Sequence, residues 1–485
     1  MTLNPEFRRN LWLELSLSRF LGLAAVLVLT VAGLEAGGRF GDIAPGYVYA
    51  GKLGFFLTVI LWGTRRVAAG MGAEVRSATW DWQRLSAMGP WSMTWGKLFG
   101  PTAFTWLAGG FFLILIAVGR LRGAEVMGPE GMSGLQSGLA SEIAMLLLDG
   151  VLAQAVTLLT ALVMLRKQRG ARQIPVALCQ GLGLLAYLVL AGTDGSLIPS
   201  DLLLGDLGPG GRVIGWYNIS FDAVPFILAS KIFFTGAAVI ACLRLMREEL
   251  QLTNIPWGWA FFLALLGGYL YGFVVSSCAA CGEVLSLPLA LFFAVFALGA
   301  YAALFADRKD PLDMAGFLRA LRSNPFSAYP KAPLWLPSFK LALLFGIASA
   351  VMGASAGIGP ETHWAWAAWQ FDSYTRPLAF SLIALMLRDF GLVLGMAYGS
   401  GGAAGRSDLM AAFWLALLYF LLPATLQAMG MSALAGIFAP PLSVEPSQAL
   451  LGAGGQAVAA IAWAVWRWRS QRARFAASLP DGVSI

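Results

Sequence analysis

Between two strongly apolar segments, residues 74–98 read EVRSATWDWQRLSAMGPWSMTWGKL. Four tryptophans, Trp80, Trp82, Trp91 and Trp95, are interleaved there with Glu74, Arg76, Asp81, Arg84 and Lys97. A polar, aromatic insertion flanked by apolar runs of about 20 residues has the composition of a water-facing loop between two membrane spans. It is also where such a chain can meet a water-soluble partner.

The remainder of the sequence has the same character. Of 485 residues, 58% are hydrophobic and only 12% charged, and the mean hydropathy is +0.71. This is too apolar for a soluble globular chain, and the expected fold class is an all-α polytopic membrane protein. Twelve candidate spans are expected near residues 19–36, 53–71, 98–119, 141–165, 173–193, 225–246, 257–277, 284–306, 336–355, 377–399, 409–435 and 447–466.

The N-terminus does not read as a cleavable signal peptide. Its apolar run starts only at Phe20, and no compact small-residue cleavage site follows. Instead Asn4 can cap a helix and Pro5 suits its first position. Leu11, Trp12 and Leu15 share a face opposite Arg8 and Glu14, which predicts an interfacial helix lying on the membrane before the first span.

Arginine and lysine set the expected orientation, because their excess marks cytoplasmic loops. With the N-terminus inside, most of the 33 fall on the cytoplasmic side, while Lys231, Lys340 and Arg388 lie within spans. Both termini are then cytoplasmic, the last marked by Arg467, Arg469, Arg472 and Arg474. The net charge of +7 reads as contact with anionic lipid and not with nucleic acid.

Long cytoplasmic loops follow the second and eighth expected spans, and longer outer loops follow the third and ninth. That spacing predicts two six-span transmembrane halves of like topology, residues 1–250 and 251–485, without residue-by-residue identity between them. Each half carries a cytoplasmic amphipathic helix. In the first, Val75, Ala78, Trp82 and Leu85 share one face, Glu74, Ser77, Asp81 and Arg84 another, and Gly89-Pro90 ends the run. In the second, Asp310 caps, Pro311 takes the first position, and Met314, Phe317, Leu318 and Leu321 form an apolar stripe beside Asp313 and Arg319, before Ser323-Asn324-Pro325 breaks it. Read alone, these helices suit a membrane interface and a docking surface equally well.

Glu74, Thr79, Asp81, Leu85 and Ser86, followed by Gly96-Lys97-Leu98 and Gly100, resemble the pattern after the second span of ABC-2-type transporter permeases. In that family the pattern commonly reads glutamate, glycine-threonine, an acidic residue, a leucine-rich stretch, then glycine-lysine-leucine; here Ala78 stands where glycine is usual. The N-terminal interfacial helix is similar to the family's elbow helix, residues 192–224 to its re-entrant hairpin, and LRDFGLVLGMAYG around Arg388 to a segment of its larger bacterial members.

The resemblance implies that the chain is the membrane-spanning subunit of an ATP-driven exporter in a bacterial cytoplasmic (inner) membrane, with two fused six-span halves. Residues 74–98 would hold the coupling helix that docks into the ATP-binding subunit through Glu74, Thr79, Asp81, Arg84 and Leu85. Asp313, Phe317 and Arg319 would dock in the second half. The chain would then be no enzyme: the partner subunits would hold ATP and magnesium, and further membrane or periplasmic subunits could join. No G-x-x-x-x-G-K-[ST] phosphate loop occurs; residues 89–97 come nearest, with Leu98 where Ser or Thr should bind magnesium.

Charges at membrane depth mark function or internal pairing. Asp149 is the candidate for a cavity or gating role, against buried hydrogen bonding. Arg388 and Asp389 read as a neutralising pair, against substrate contact, and Lys340 can snorkel to the interface. Cys278 and Cys281 form a C-x-x-C on a tight outer loop, where a local disulfide is plausible; a metal site there would lack two soft ligands, so no metal is expected. Cys179 and Cys242 read as small buried hydrophobes. His363, the only histidine, lies among Trp364, Trp366 and Trp369, an aromatic anchor or a gating surface.

Two other classes stand beside the permease. One is an ion-coupled secondary transporter of six plus six helices, which would usually place its long cytoplasmic loop at the centre, where this chain has a short one. The other is a membrane-embedded enzyme or assembly factor, which would usually cluster carboxylates or histidines at an interface. The Gly- and Ala-rich spans favour an amphipathic or lipid-like cargo, with peptides, drugs and polysaccharides also open.

Overall fold

A helix satisfies every backbone hydrogen bond within its own segment, so in hydrocarbon a chain this apolar has few alternatives to helices. The structure, a computed structural model, describes residues 5–37, 44–86, 88–127, 129–167, 174–191, 213–252, 254, 257–277, 286–324, 332–352, 375–399, 404–438 and 446–477. Two compact units share them: residues 1–214 with 220–254, and residues 255–485 with 215–219.

The first unit opens with α1 (Pro5–Glu14), α2 (Leu17–Gly37) and α3 (Ala44–Arg76), the last carrying a π-helical stretch at Phe56–Trp62. Then come α4 (Thr79–Arg84), α5 (Pro90–Phe99), α6 (Ala103–Met127), α7 (Pro129–Lys167), α8 (Val176–Ala191) and α9 (Ala223–Glu249). The second unit holds α10 (Gly258–Ser277), α11 (Ser286–Ala306), α12 (Pro311–Ser323), α13 (Trp335–Met352), α14 (Thr375–Gly399), α15 (Ser407–Ala428), α16 (Ser432–Phe438) and α17 (Pro446–Ala477).

Among the described residues, 11 helices are long and apolar enough to cross a membrane, where the sequence predicts twelve. The difference is α8. Its 16 residues measure about 24 Å at a rise of about 1.5 Å each, short of the roughly 30 Å hydrocarbon core. The expected re-entrant hairpin falls largely on residues 192–212, outside the described residues. After them β1 (Val213–Trp216) and β2 (Ile219–Asp222) form a two-stranded ribbon. Its tip is bonded to α10: Trp216 Nε1 donates to the Tyr269 carbonyl at 2.9 Å and Tyr217 N to the Gly272 carbonyl at 2.9 Å.

Lipid tails are as apolar as leucine, so spans are held by close packing more than by apolar burial, and small residues at contacts permit it. A Cβ on Gly51 of α3 would lie 2.8 Å from the Phe112 carbonyl oxygen of α6. On α17, Ala453, Ala457, Ala460 and Ala464 form a buried stripe at helical spacing. Facing it, a Cβ on Gly391 of α14 would lie 2.8 Å from the Ala460 carbonyl carbon. The core of the first unit gathers Met71, Trp80, Met93, Leu98, Leu158 and Cys242; that of the second gathers Phe296, Trp335 and Phe390.

Candidate functional site: an ionic clamp beneath an exposed loop

Residues 77–89 connect α3 to α5 through α4, and the buried residues around them are unexpectedly polar. Lys97 of α5 is 2% exposed, and its ammonium donates to Glu6 Oε1 of α1 at 2.8 Å, to Glu74 of α3 and to Gln83 of α4. Arg9 stands 3.6 Å from Glu74, so two carboxylates meet two cations and the cluster is neutral. The Trp80 ring lies 5.7 Å from the Lys97 ammonium, a cation–π distance that adds to the cage. One lysine thus ties four helices together.

This arrangement inverts the expected amphipathicity of α1. Its buried residues are Glu6, Asn10 and Glu14, spaced four apart, while Trp12 is 78% exposed. Glu14 pairs with Arg66 of α3 and with Arg19. Arg8 is exposed and Glu14 buried, so the predicted grouping of these two opposite Trp12 does not hold. Where the outer environment is apolar or interfacial, a polar stripe gains more by facing inward toward partners than outward. Outside the spans, Glu6 shows the electrostatic result. Burial raises its carboxyl pKa, but the charge and hydrogen bond of Lys97, with Arg9 and Asn10, outweigh that and hold it below its ordinary 4.5.

The packed face of α4 also differs from expectation. Of the predicted apolar face, Val75 packs against the core but Ala78, Trp82 and Leu85 are exposed; Trp80 and Gln83 turn inward instead, at 3% and 8% exposure. Asp81, Trp82 and Leu85 are left outward, at 75%, 76% and 82%. The reason is a break in the helix. Ala78 has φ 56° and ψ 14°, the left-handed region, which rotates α4 out of register with α3. Glycine adopts that conformation freely, whereas an L-residue pays about 1–2 kcal/mol for it. Ala78→Gly is therefore expected to leave the loop intact and to raise stability by up to about 1 kcal/mol, since the greater entropy of the unfolded glycine chain takes back part of the gain. A melting temperature lower than that of the parent would contradict this.

Of the residues expected to dock a partner, Glu74 is consumed internally, and Arg84 is half committed: its Nε donates to the Glu249 carbonyl at 3.0 Å. Thr79 is intermediate in exposure, Leu85 is exposed, and Asp81, though 75% exposed, lies 3.9 Å from the Arg84 guanidinium. In the second unit, Asp310 does cap α12, accepting from Leu312 N at 2.9 Å with Pro311 in the first turn. Phe317 is buried there, while Asp313 and Arg319 stay exposed.

Two charged groups lie deep in the spans. Asp149 of α7 accepts from Lys231 of α9 with both carboxylate oxygens at 2.7 Å, the two residues being 3% and 1% exposed. The sequence reading singled out each residue but not their pairing. In the second unit, Asp389 accepts from Arg388 Nε at 2.9 Å, Tyr301 OH at 2.7 Å and Tyr419 OH at 2.6 Å. Arg388 also donates to Gln456 at 2.8 Å and lies over the Tyr419 ring. Arg388 Nη2 lies 2.9 Å from Asp389 as an ion pair but is buried without a directed hydrogen bond, so the charge is neutralised while one donor of the network is left over. Cys278, Cys281 and His363 with its tryptophans lie outside the described residues. Among the described residues no cluster of His, Cys, Asp and Glu is arranged to hold a metal ion.

No protein-family model, curated protein or solved structure matches this chain. Fold and site together define a class: a multi-pass α-helical membrane protein with a polar loop anchored by buried charge.

Proposed function

We propose that this chain is the membrane-spanning subunit of an ATP-driven exporter of the ABC-2 type, coupled to separate ATP-binding subunits through residues 77–89. The observation that carries the reading is the loop itself. A six-residue helix is too short to be stable in water alone, yet here its inner residues Trp80 and Gln83 are held by Lys97 while Asp81, Trp82 and Leu85 project outward. A rigid short helix with an exposed acidic and apolar tip is suited to transmitting a push from a soluble partner to α3 and α5. On the same reading α1 is the elbow helix, α12 the docking helix of a second half, and both termini are cytoplasmic.

The decisive measurement is copurification in mild detergent, with bound chains identified by mass spectrometry and ATP hydrolysis assayed. A stoichiometric ATPase supports the proposal, and its reproducible absence overturns it. Asp81→Arg is the cleanest single variant, because Asp81 is 75% exposed, whereas reversing Arg84 would also break its bond to Glu249. The expected result is unchanged membrane insertion and melting with at least tenfold weaker association of the ATPase, equivalent to about 1.4 kcal/mol or more.

A second reading, an ion-coupled carrier, is favoured by the Asp149–Lys231 pair, since paired ionisable groups at membrane depth are common in proton relays. Transport that follows an imposed proton gradient without ATP would select it.

A further inference from the structure

A cavity of about 370 Å³ lies in the second unit between α12, α13, α14 and α17. Its size falls within the roughly 300–1,000 Å³ typical of ligand sites. Its walls are almost wholly apolar: Met314 and Leu318 from α12, Phe339 from α13, Leu394 from α14, and Ile461 and Val465 from α17. Ile461 and Val465 remain 39% and 40% exposed at its rim, so the cavity communicates with the surroundings of the spans. The tryptophan at its polar end is held in place, Trp468 Nε1 donating to the Pro311 carbonyl at 3.2 Å.

The cation beside that tryptophan is what identifies an occupant. Arg469 lines the cavity and is exposed, and among the described residues no carboxylate pairs with it. It belongs to the basic end of α17, where Arg467 and Arg472 stack on Trp466 and Trp468. An apolar slot running alongside spans and ending at tryptophan and an unpaired arginine repeats the layering of a lipid molecule: hydrocarbon, interface, headgroup. The amphipathic helix α12 covers the slot as a lid of Met314 and Leu318.

We propose that this cavity is a binding site for one acyl chain of an anionic phospholipid, with Arg469 engaging the headgroup phosphate. A chain seated here would bridge α12 to α14 and α17. The proposal does not depend on the transporter class, since it uses only residues of the second unit.

The test uses full-length protein in nanodiscs containing trace phosphatidylglycerol or phosphatidylcholine with a photoactivatable group midway along one acyl chain. After irradiation, labelled peptides are mapped by mass spectrometry. Phosphatidylglycerol is expected to label peptides of α14 and α17 around Leu394 and Ile461 at least fivefold more than phosphatidylcholine does. Val465→Trp, which fills the mouth, should abolish the labelling at those peptides for both lipids, and Arg469→Gln should remove only the preference. Both positions are exposed enough to change without opening the core, and an unchanged melting curve checks this. Labelling spread evenly over all spans, labelling that survives Val465→Trp, or equal labelling by the two lipids would overturn the assignment. Labelling replaced by a copurifying protein segment crosslinked at the same residues would overturn it as well, making the slot a protein-docking groove.

Discussion

Lys97→Met is expected to be among the most destabilising single substitutions in the chain. It takes the ammonium away from the buried Glu6 and Glu74 carboxylates, and removing one partner of a buried ion pair typically costs about 3–5 kcal/mol. The two cysteines of the first unit provide the measurement. Cys179 and Cys242 are both 0% exposed and belong to the core that contains Trp80, Met93 and Leu98. In a background lacking Cys278 and Cys281, a thiol-reactive dye therefore reports opening of this core directly. Lys97→Met should shift the thermal transition down strongly, and adding Glu6→Gln and Glu74→Gln should recover part of the loss, because neutral amides remove the uncompensated charge. A transition equal to that of the parent would show that the clamp is not what holds the loop.

Glu6, taken by itself, has a pH signature with a definite sign. The Glu6 carboxyl sits below its ordinary 4.5 in the folded chain. A depressed folded value means the unfolded chain binds the proton more readily. Its contribution is thus complete above the ordinary value and is lost as pH falls through the folded one. The parent's melting temperature should drop on acidification below about pH 4.5 more than that of Glu6→Gln, which has no such proton to gain.

Spans were the legible part of the fold, because apolar runs of bilayer length carry their own signal. Their ends and contacts were less so. The fifth expected span was counted from apolarity at residues 173–193, but the described helix there is only 16 residues long. The face of α4 was misjudged because of the break at Ala78, and that of α1 because amphipathic patterning assumes that apolar residues turn inward. Near a membrane the outside can be the apolar phase, and then Glu6, Asn10 and Glu14 turn inward to meet one another's partners. The polar repeat at positions 6, 10 and 14 was the available signal, and Lys97 at the start of a span was the other. What the sequence could not supply was long-range pairing: nothing in local spacing joins Glu6 to Lys97 or Asp149 to Lys231, 91 and 82 residues apart. The left-handed Ala78 shows a gentler failure, since alanine is an ordinary helix former and carries no mark of a break.

The Asp149–Lys231 pair decides between the transport readings. Asp149→Asn should destabilise by about 3–5 kcal/mol, because it removes the counter-charge of a buried ammonium, and Lys231→Met should do the same to the carboxylate. The double substitution Asp149→Leu with Lys231→Met is expected to restore stability to the parental level or above, as apolar replacement of a buried pair is often neutral or stabilising by about 1–4 kcal/mol. The same dye transition measures all three, since Cys242 donates to the Ala155 carbonyl at 3.1 Å on the same pair of helices, α7 and α9. Function then separates what stability cannot. If the pair only neutralises two charges between α7 and α9, the double variant folds and keeps every transport activity of the parent. If the pair carries a coupling ion, the double variant folds equally well but no longer responds to a proton gradient. A double variant as unstable as either single would show that Asp149 and Lys231 each have other indispensable partners, and would refute the pair as a self-contained unit.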